Sequence, residues 1–290
     1  MSYSLNNFLD YQPLQPFLAV LGSPIDHSFS PLIHQHALNS IDLNWDYYAI
    51  NVSDEDRHLL SKLLNKKGFK GANVTIPLKE KVPELVNSVD EEVEQIGAAN
   101  TIYWDAGQWK AANTDVTGFA YPLQQRKQLL AGKYAVVLGS GGAARAVCYA
   151  LSNNLSVGKI FLITRNPDQI DSNTYPAADK LKVIAYDQLE TAVEQSELVV
   201  NTTPVGMHPE TDRSPIPDKS SHLLSGKICY DLIYNPEETK FLTQADEVGG
   251  DSISGLKMFI YQAARSFEIW TGEKFPVDEA EELIRQKLHG

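Results

Sequence analysis

Short apolar runs alternate with helical patterns along most of the chain. Runs rich in β-branched and aromatic residues predict strands, and apolar residues three and four positions apart predict helices. A repeated alternation of the two is typical of α/β proteins with largely parallel sheets. The first such run, Phe17–Leu21, ends at the strand-breaking Gly22-Ser23-Pro24. The pattern therefore predicts an α/β fold.

The first block of the pattern, residues 1–117, has the elements of one α/β domain. Ser30-Pro31 predicts a helix start, with Ser30 as the N-cap and Pro31 at the first helical position. The elements predicted after it are a strand over 45–52, a helix over 54–67, a strand over 71–76, a hairpin over 100–112 that turns at 105–107, and a helix over 116–130 that Pro122 can interrupt.

The second block, residues 118–250, predicts a doubly wound dinucleotide fold. Its strands are expected at 133–138, 160–164, 181–186, 198–203 and 228–234, and helical segments separate most of them. The remaining residues, 251–290, contain a helical pattern near 256–270 that ends before Gly272, and a short helix near 277–288. We expect the first of these helices to pack back on the first block.

A glycine motif stands between the first strand of the second block and the helix after it. In Gly139-x-Gly141-x-x-Ala144 the first glycine allows a tight turn, and the second lets a pyrophosphate approach the backbone. The small third residue lets helix and strand pack closely, and the helix N-terminus offers amide donors to an anion. The motif predicts a dinucleotide site; a turn that binds no phosphate is the alternative.

The end of the next strand bears on which dinucleotide is bound. NAD sites usually carry an acidic residue there, which bonds the ribose 2′-hydroxyl. This chain instead reads Ile163-Thr164-Arg165-Asn166, and an arginine can bond a 2′-phosphate with two hydrogen bonds. The sequence therefore favours NADP, with Arg165 at the phosphate; an ordinary surface arginine is the alternative.

Small polar side chains stand at the predicted ends of elements in the first block. Such groups suit a small polyhydroxylated acid, because neutral donors and acceptors pair with its hydroxyls and its carboxylate. Ser28 and Ser30 would share a side of an extended segment, and Lys79 is expected at a helix start. Each also has a structural interpretation, such as a helix cap for Ser30. The set is Ser28, Ser30, Asn73, Thr75, Lys79, Asn100, Thr101, Asn113, Thr114 and Asp115.

In their order along the chain, these motifs resemble the shikimate dehydrogenase family over nearly its full length. The matching segments are Gly22–Pro31, Asn73–Lys79, Gly97–Thr101, Asn113–Gly118, Gly139–Ala143, Asn201–Met207, Tyr230–Pro236 and Gln262-Ala263. The resemblance implies reversible NADPH-linked reduction of 3-dehydroshikimate to shikimate, on the route to chorismate and the aromatic amino acids. It also implies an N-terminal substrate domain, a Rossmann-type NADP domain and C-terminal helices that return to the first domain.

Carried over residue by residue, the resemblance assigns Lys79 and Asp115 as the catalytic pair. Together with them, the implied substrate contacts are Ser28, Ser30, Asn73, Thr75, Asn100, Tyr234 and Gln262. The implied cofactor contacts are Gly139, Ser140, Gly141, Gly142, Ala143, Thr164, Arg165, Asn166, Thr203, Val205, Gly255 and, near the nicotinamide, Met258. NADP-preferring members often carry a second basic residue after the arginine, where this chain has Gln169. The strength of its NADP preference is therefore left open.

Charge and cysteine content exclude several other classes of protein. The chain has 37 acidic and 25 basic residues, a formal charge of −12, which argues against a nucleic-acid binder with a broad basic surface. Two cysteines, Cys148 and Cys229, are too few for a disulfide scaffold or a cysteine-based zinc module. We find no secretory leader and no apolar stretch near about 20 residues, so we expect a cytoplasmic protein without a membrane segment. We also expect a monomer or a homodimer.

Three alternative functions stay open. A quinate or dual quinate/shikimate dehydrogenase that uses NAD or NADP has similar motifs, although paired serines at 28 and 30 favour shikimate. A non-catalytic NADP-binding sensor would not need Lys79 and Asp115. A metal hydrolase would have to use His27, His34 and His36, whose spacing matches no familiar ligand set. We expect solvated or capping histidines and no metal.

Overall fold

A computed structural model describes residues 2–289. The chain divides into two compact units. The first unit extends to Thr114 and is completed by the residues from Gln262 onward, and the second unit is Asp115–Tyr261. The domain borders expected after residues 117 and 250 stay a prediction.

The first unit is built on a mixed sheet. Within residues 2–289 its strands are β1 (Ser2–Ser4), β2 (Phe17–Gly22), β3 (Asp46–Asn51), β4 (Phe69–Val74), β5 (Ser88–Val89), β6 (Thr101–Asp105) and β7 (Gln108–Ala112). Their order is β1-β3-β2-β4-β6-β7-β5. The strands β1 to β4 pair in parallel, and β6 pairs antiparallel with both β4 and β7. The central strand β2 is buried along its whole length, as its unbroken apolar sequence predicts.

Short helices flank this sheet. They are α1 (Leu5–Asp10), α2 (Ser30–Ser40), α3 (Leu60–Leu64) and α4 (Glu91–Ile96).

The hairpin β6–β7 turns at Ala106 and Gly107, whose φ angles of 49° and 81° are both positive. Two central residues with positive φ twist a two-residue turn to match its strands. The hairpin predicted over 100–112 is confirmed.

The second unit contains a parallel sheet. The strands that the structure describes there are β8 (Tyr134–Leu138), β9 (Lys159–Ile163), β10 (Leu181–Ile184), β11 (Leu198–Asn201), β12 (Ile228–Asp231) and β13 (Asp251–Ile253). Their order in the sheet is β10-β9-β8-β11-β12-β13. All of these strands are parallel, but chain order runs outward in one direction from β8 and in the other direction from β11, so a topological switch point lies between β8 and β11. Doubly wound folds bind dinucleotides at such a switch point, outside the carboxyl ends of the strands. The predicted doubly wound fold is confirmed.

Helices α5 (Asp115–Ala120), α6 (Lys127–Leu130), α7 (Gly142–Asn153), α8 (Leu189–Glu194) and α9 (Lys240–Glu247) belong to the second unit. As predicted, the stretch over 116–130 is interrupted at Pro122, which lies in a 3₁₀ segment, Tyr121–Arg126, between α5 and α6. Proline lacks the backbone N–H that a continuous α-helix needs there.

The chain ends in two helices, α10 (Gly255–Thr271) and α11 (Val277–His289). From Gln262 onward they belong to the first unit, as predicted. Trp270 of α10 donates its indole N–H to the carbonyl of Ile102 at 2.9 Å, and His36 of α2 pairs with Glu279 of α11 at 2.6 Å. A side chain at Gly71 would meet Trp270 at 2.5 Å, so this strand approaches the helix closely.

Three local predictions were wrong. Helix α2 begins at Ser30 itself, with Phe29 at the N-cap position, so Ser30 is not the N-cap. The helix predicted over 54–67 is a 3₁₀ segment, Asp56–Leu59, followed by the short α3. Lys79 lies in a turn, and the helical turn after it, Val82–Glu84, begins three residues later.

No helix within residues 2–289 is both long enough and apolar enough to cross a membrane.

Both cysteines are buried free thiols. Burial raises the pKa of Cys229 to about 12 and also raises the pKa of Cys148, so neither thiol is in an environment that favours the reactive thiolate.

Phe267 tests how much the returning helix contributes to the first unit. Its side chain is fully buried, with its ring 5.5 Å from that of Phe275. We expect Phe267→Ala to lower the free energy of unfolding by about 3–5 kcal/mol, because the cavity cannot fully collapse. Urea denaturation measures it, with Leu14→Ala as the control, since Leu14 is 94% exposed. A loss as small as that of the control would mean that α10 does not anchor this core.

Candidate active site

A buried polar network lies where β4, β6 and α10 meet in the first unit. Its first member is Asn73, at 5% exposure, one residue before the end of β4. The Tyr47 hydroxyl donates to Asn73 Oδ1 at 2.8 Å, and Asn73 Nδ2 donates to Ser266 Oγ at 2.9 Å. A longer bond of 3.4 Å runs from Asn73 Nδ2 to Thr101 Oγ1. Asn73 is therefore held in one orientation by three elements.

Asn100 continues the network and connects it to α10. Its Oδ1 accepts from the Thr114 backbone N–H at 2.7 Å and from the Thr101 hydroxyl at 3.1 Å. Its Nδ2 donates to Thr114 Oγ1 at 3.0 Å and to Gln262 Oε1 at 3.4 Å. The fold thus brings together Asn100 and Gln262, two predicted substrate residues that are 162 positions apart.

Ser266 joins the whole network and was missed by the sequence analysis. It is fully buried, and its Oγ lies 2.8 Å from Thr101 Oγ1 and 3.0 Å from Thr114 Oγ1. It also donates to the carbonyl of Gln262, one helical turn earlier, at 3.0 Å. Its position four residues after Gln262, on the same helical face, was the one signal in the sequence.

Ser28, Ser30 and Thr75 lie at strand and helix ends of the same unit. Contrary to the prediction, Ser28 and Ser30 do not share an extended segment. The Ser28 N–H donates to the Ile25 carbonyl at 3.1 Å, and Ser30 is the first residue of α2. Ser28 Oγ accepts from the Ser30 backbone N–H at 3.2 Å. Thr75 follows β4, where a side chain at Gly22 would lie 2.3 Å from Thr75 Cγ2. Glycine at position 22 therefore permits the close approach of this backbone to Thr75.

Lys79 is half-buried in the turn after Thr75. Its backbone carbonyl accepts from the Ala99 N–H at 2.9 Å, which ties this turn to the residue before Asn100. Lys79 thus sits beside the chain segment that carries Asn100, in the same unit.

The histidine at position 34 has a structural environment in the first unit. His34 is fully buried and stacks on Tyr47 with ring centroids 4.6 Å apart, so the expectation of a solvated or capping residue was wrong for it. Burial lowers the pKa of His34 to about 3, which keeps its ring neutral. Among residues 2–289, no group of three or more His, Cys, Asp or Glu side chains is arranged to hold a metal.

The glycine turn of the second unit follows β8, at the topological switch point between β8 and β11. Gly139 follows β8 with φ +104°, and a side chain there would meet Thr202 Oγ1, after β11, at 2.7 Å. Gly141 is the N-cap of α7, and a side chain there would meet nothing within 4 Å. The turn therefore leaves open space in front of a twelve-residue helix, which is what a pyrophosphate needs.

Thr164, Arg165 and Asn166 follow β9, the neighbour of β8. Thr164 is buried and its Oγ1 lies 3.3 Å from Ser140 Oγ, so it is joined to the glycine turn. Arg165 and Asn166 are exposed at the tip. Burial raises the pKa of Tyr186, while the nearby positive charge of Arg165 opposes this rise. The Arg165 side chain is exposed to solvent at the end of β9.

The predicted cofactor residues Thr203 and Val205 form a turn after β11. The Thr203 N–H and hydroxyl both donate to Asn201 Oδ1, at 3.0 and 2.7 Å, and the Val205 N–H donates to Thr203 Oγ1 at 3.2 Å. Gly255 begins α10, and a side chain there would lie 2.3 Å from the Leu232 carbonyl oxygen. Met258, one turn further on, is 7% exposed.

Asp115 and Tyr234 belong to the second unit. Asp115 is the first residue of α5 and is 4% exposed. Tyr234 is half-buried and stacks on Phe259, with ring centroids 4.2 Å apart. The stack fixes the ring plane of Tyr234.

Comparison with known proteins identifies relatives of this chain. The family model described as "Shikimate dehydrogenase substrate binding domain" matches residues 20–102, and "Shikimate 5'-dehydrogenase C-terminal domain" matches residues 255–285. A protein of Synechocystis sp., "Shikimate dehydrogenase (NADP(+))", is 38% identical over 278 residues, which are 93% of this chain and 94% of that protein.

Two solved structures have the same fold. Shikimate 5-dehydrogenase from Thermus thermophilus, in complex with NADP(H) and shikimate, is 32% identical with a TM-score of 0.78, covering 93% of this chain and 98% of that chain. Quinate dehydrogenase from Corynebacterium glutamicum, in complex with NAD, is 27% identical with a TM-score of 0.83, covering 94% and 99%.

Ser266→Ala tests the buried network. It removes the acceptor of Asn73 Nδ2 and a neighbour of both Thr101 and Thr114. We expect the free energy of unfolding to fall by about 1–3 kcal/mol, because buried partners lose their hydrogen bonds. Chemical denaturation measures it against Ser61→Ala, at an exposed helical serine. Equal stability of the two variants would show that Ser266 does not hold the network.

Proposed function

The chain belongs to the shikimate dehydrogenase family, and from this membership we infer its reaction. The protein is an NADP-dependent oxidoreductase that reversibly reduces 3-dehydroshikimate to shikimate, the step that leads towards chorismate and the aromatic amino acids. The observation that carries this conclusion is the 38% identity to a shikimate dehydrogenase of which this chain covers 94%. The match extends through both units, so neither is specific to this chain.

NADPH supplies the hydride that reduces the carbonyl carbon. The residues that would hold it belong to the second unit, and the open space at Gly141 fits its pyrophosphate. We propose that Arg165 bonds the 2′-phosphate, because it is exposed at the end of β9 and no acidic residue stands beside it in Ile163–Asn166. The other proposed contacts are Gly139, Ser140, Gly142, Ala143, Thr164, Asn166, Thr203, Val205, Gly255 and Met258.

We propose Lys79 and Asp115 as the catalytic pair. Ketone reduction places a proton on oxygen, and the Lys79 ammonium can donate a hydrogen bond or a proton to the developing alkoxide. The Asp115 carboxylate can bond the same hydroxyl or orient the ammonium group. Because opposite charges favour each other's ionised forms, such a pair offsets part of its desolvation.

The proposed substrate contacts are neutral hydrogen-bonding groups. Asn100 and Gln262 support this assignment best, because the buried network holds both of them in defined orientations. Tyr234 is supported by its stack on Phe259, which restricts the plane of its ring. The other proposed contacts are Ser28, Ser30, Asn73 and Thr75.

Quinate is the second candidate substrate, since a quinate dehydrogenase shares the fold with a TM-score of 0.83. We propose shikimate as the preferred acid because of the serines at 28 and 30. The test is a spectrophotometric assay with shikimate and quinate against NADP⁺ and NAD⁺. Turnover of quinate alone would overturn the assignment, and tight cofactor binding without any turnover would favour a sensor.

We further propose a cytoplasmic enzyme that is a monomer or a homodimer. Two buried free thiols support a reducing compartment. The net charge of −12 gives no support to a nucleic-acid partner. Light scattering coupled to gel filtration decides the oligomeric state.

Lys79→Ala tests the catalytic pair. We expect kcat to fall by about 10²–10⁴-fold with a much smaller change in KM for shikimate, because the interaction strengthens towards the transition state. Lys62→Ala, at an exposed lysine of α3, is the matched control. A Lys79 variant with normal kcat would end the catalytic assignment.

Arg165→Ala tests the choice of cofactor. We expect KM for NADP⁺ to rise by about tenfold to 100-fold, since a charge-assisted hydrogen bond is worth about 1.5–3 kcal/mol, and KM for NAD⁺ to stay the same. Steady-state kinetics with both cofactors measure the difference. Wild-type protein that uses NAD⁺ as well as NADP⁺ would remove the role assigned to Arg165.

A further inference from the structure

The second unit buries a carboxylate that the proposed reaction does not use. Asp231 is the last residue of β12, and Asn201 is the last residue of the neighbouring strand β11. The two are paired in the register of the sheet, and both are fully buried. Asn201 Nδ2 donates to Asp231 Oδ1 at 3.0 Å. One hydrogen bond thus joins the carboxyl ends of two strands whose following segments carry proposed ligand contacts.

The Asn201 amide shapes the segment after β11. Its oxygen accepts from the backbone and hydroxyl of Thr203, and its Nδ2 also donates to the Val205 carbonyl at 3.2 Å. These bonds close the turn of Thr203 and Val205. The orientation of the amide is set by Asp231, because a carboxylate accepts only from the nitrogen end of the amide.

The Asp231 carboxylate shapes the segment after β12 in the same way. Its Oδ1 accepts from the Ile233 backbone N–H at 3.0 Å, and its Oδ2 accepts from the Thr239 hydroxyl at 2.7 Å. Thr239 is the N-cap of α9. Residues 232–238, which include Tyr234, are therefore tied to the carboxylate at both ends.

Burial of this carboxylate is unfavourable by itself. Burial raises the pKa of Asp231 to about 6, although three hydrogen bonds oppose the rise. In the part of the chain that the structure describes, Asp231 forms no ion pair with a lysine or arginine. Since an apolar side chain could fill the space without desolvating a charge, packing does not explain the residue.

We propose that Asp231 is a positioning residue that sets, through one carboxylate, both the cofactor turn at Thr203 and Val205 and the substrate segment at Tyr234. The proposal rests on the proposed function, which assigns ligands to these two segments. Asn201 relays the effect to the cofactor turn alone. The two residues therefore differ in what their loss should do.

The experiment compares Asp231→Ala, Asp231→Asn and Asn201→Ala with the wild type. The dissociation constant of NADPH is measured by fluorescence titration without substrate, and KM for shikimate by steady-state assay. Val199→Ala is the matched control, because it opens a cavity in buried β11 without touching either segment. All measurements are made well below the melting temperature of each variant.

Asp231→Ala is expected to raise both constants at least tenfold. Asn201→Ala is expected to raise the NADPH constant by a similar factor and leave KM for shikimate within about threefold. Asp231→Asn keeps an oxygen that accepts from Ile233 and Asn201, so both constants should stay within about threefold. The control should lose thermal stability and keep both constants within about twofold.

A folded Asp231→Ala protein with wild-type constants would overturn the proposal. If that variant does not fold, Asn201→Asp provides the test. This change places a second carboxylate against that of Asp231 and should weaken NADPH binding. Adding Asp231→Asn to it should restore NADPH binding. Absence of this rescue also overturns the proposal. An inactive wild type would instead refute the proposed reaction, while the NADPH titrations would still report on Asp231.

Discussion

Hydrogen bonding of buried polar groups is the constraint on which both candidate ligand regions depend. An amide or a carboxylate inside a protein loses its water and is stabilised only by partners in defined places. Asn73 and Asn100 in the first unit, and Asn201 and Asp231 in the second, satisfy this requirement through side chains from other elements. The same bonds that offset desolvation also fix the orientation of neighbouring polar groups, which a site for a small hydroxylated acid requires.

Close backbone approach is the second constraint, and glycine is what permits it. In the second unit β8 and β11 are paired neighbours in the sheet, and Gly139 lies so near Thr202 that a side chain would collide with it. Gly255 stands in the same relation to Leu232. At these two positions the absence of a side chain permits close packing, whereas Gly141 faces open space. A glycine motif thus combines residues with different physical roles.

Much of the fold could be predicted because its signals are local. The apolar runs of β2, β8 and β11 and the interruption at Pro122 depend on residues next to one another, and the structure has them where they were expected. Short elements were predicted less well. Helix α3 covers only part of the helix predicted over 54–67, and the edge strand β1 was not predicted. Short elements depend on tertiary contacts more than on their own sequence.

The sequence by itself determined the family, the α/β class, the dinucleotide turn and the residue types available for chemistry, since each of these is written in neighbouring residues or in ordered motifs. Only the tertiary structure decided that Ser266 meets Asn73 across 193 positions, that His34 is buried, and that Asp231 joins the ends of two strands. Partners so far apart leave no periodic pattern in the chain. Their meeting follows from strand order and helix packing, which sum many weak contacts over the whole unit.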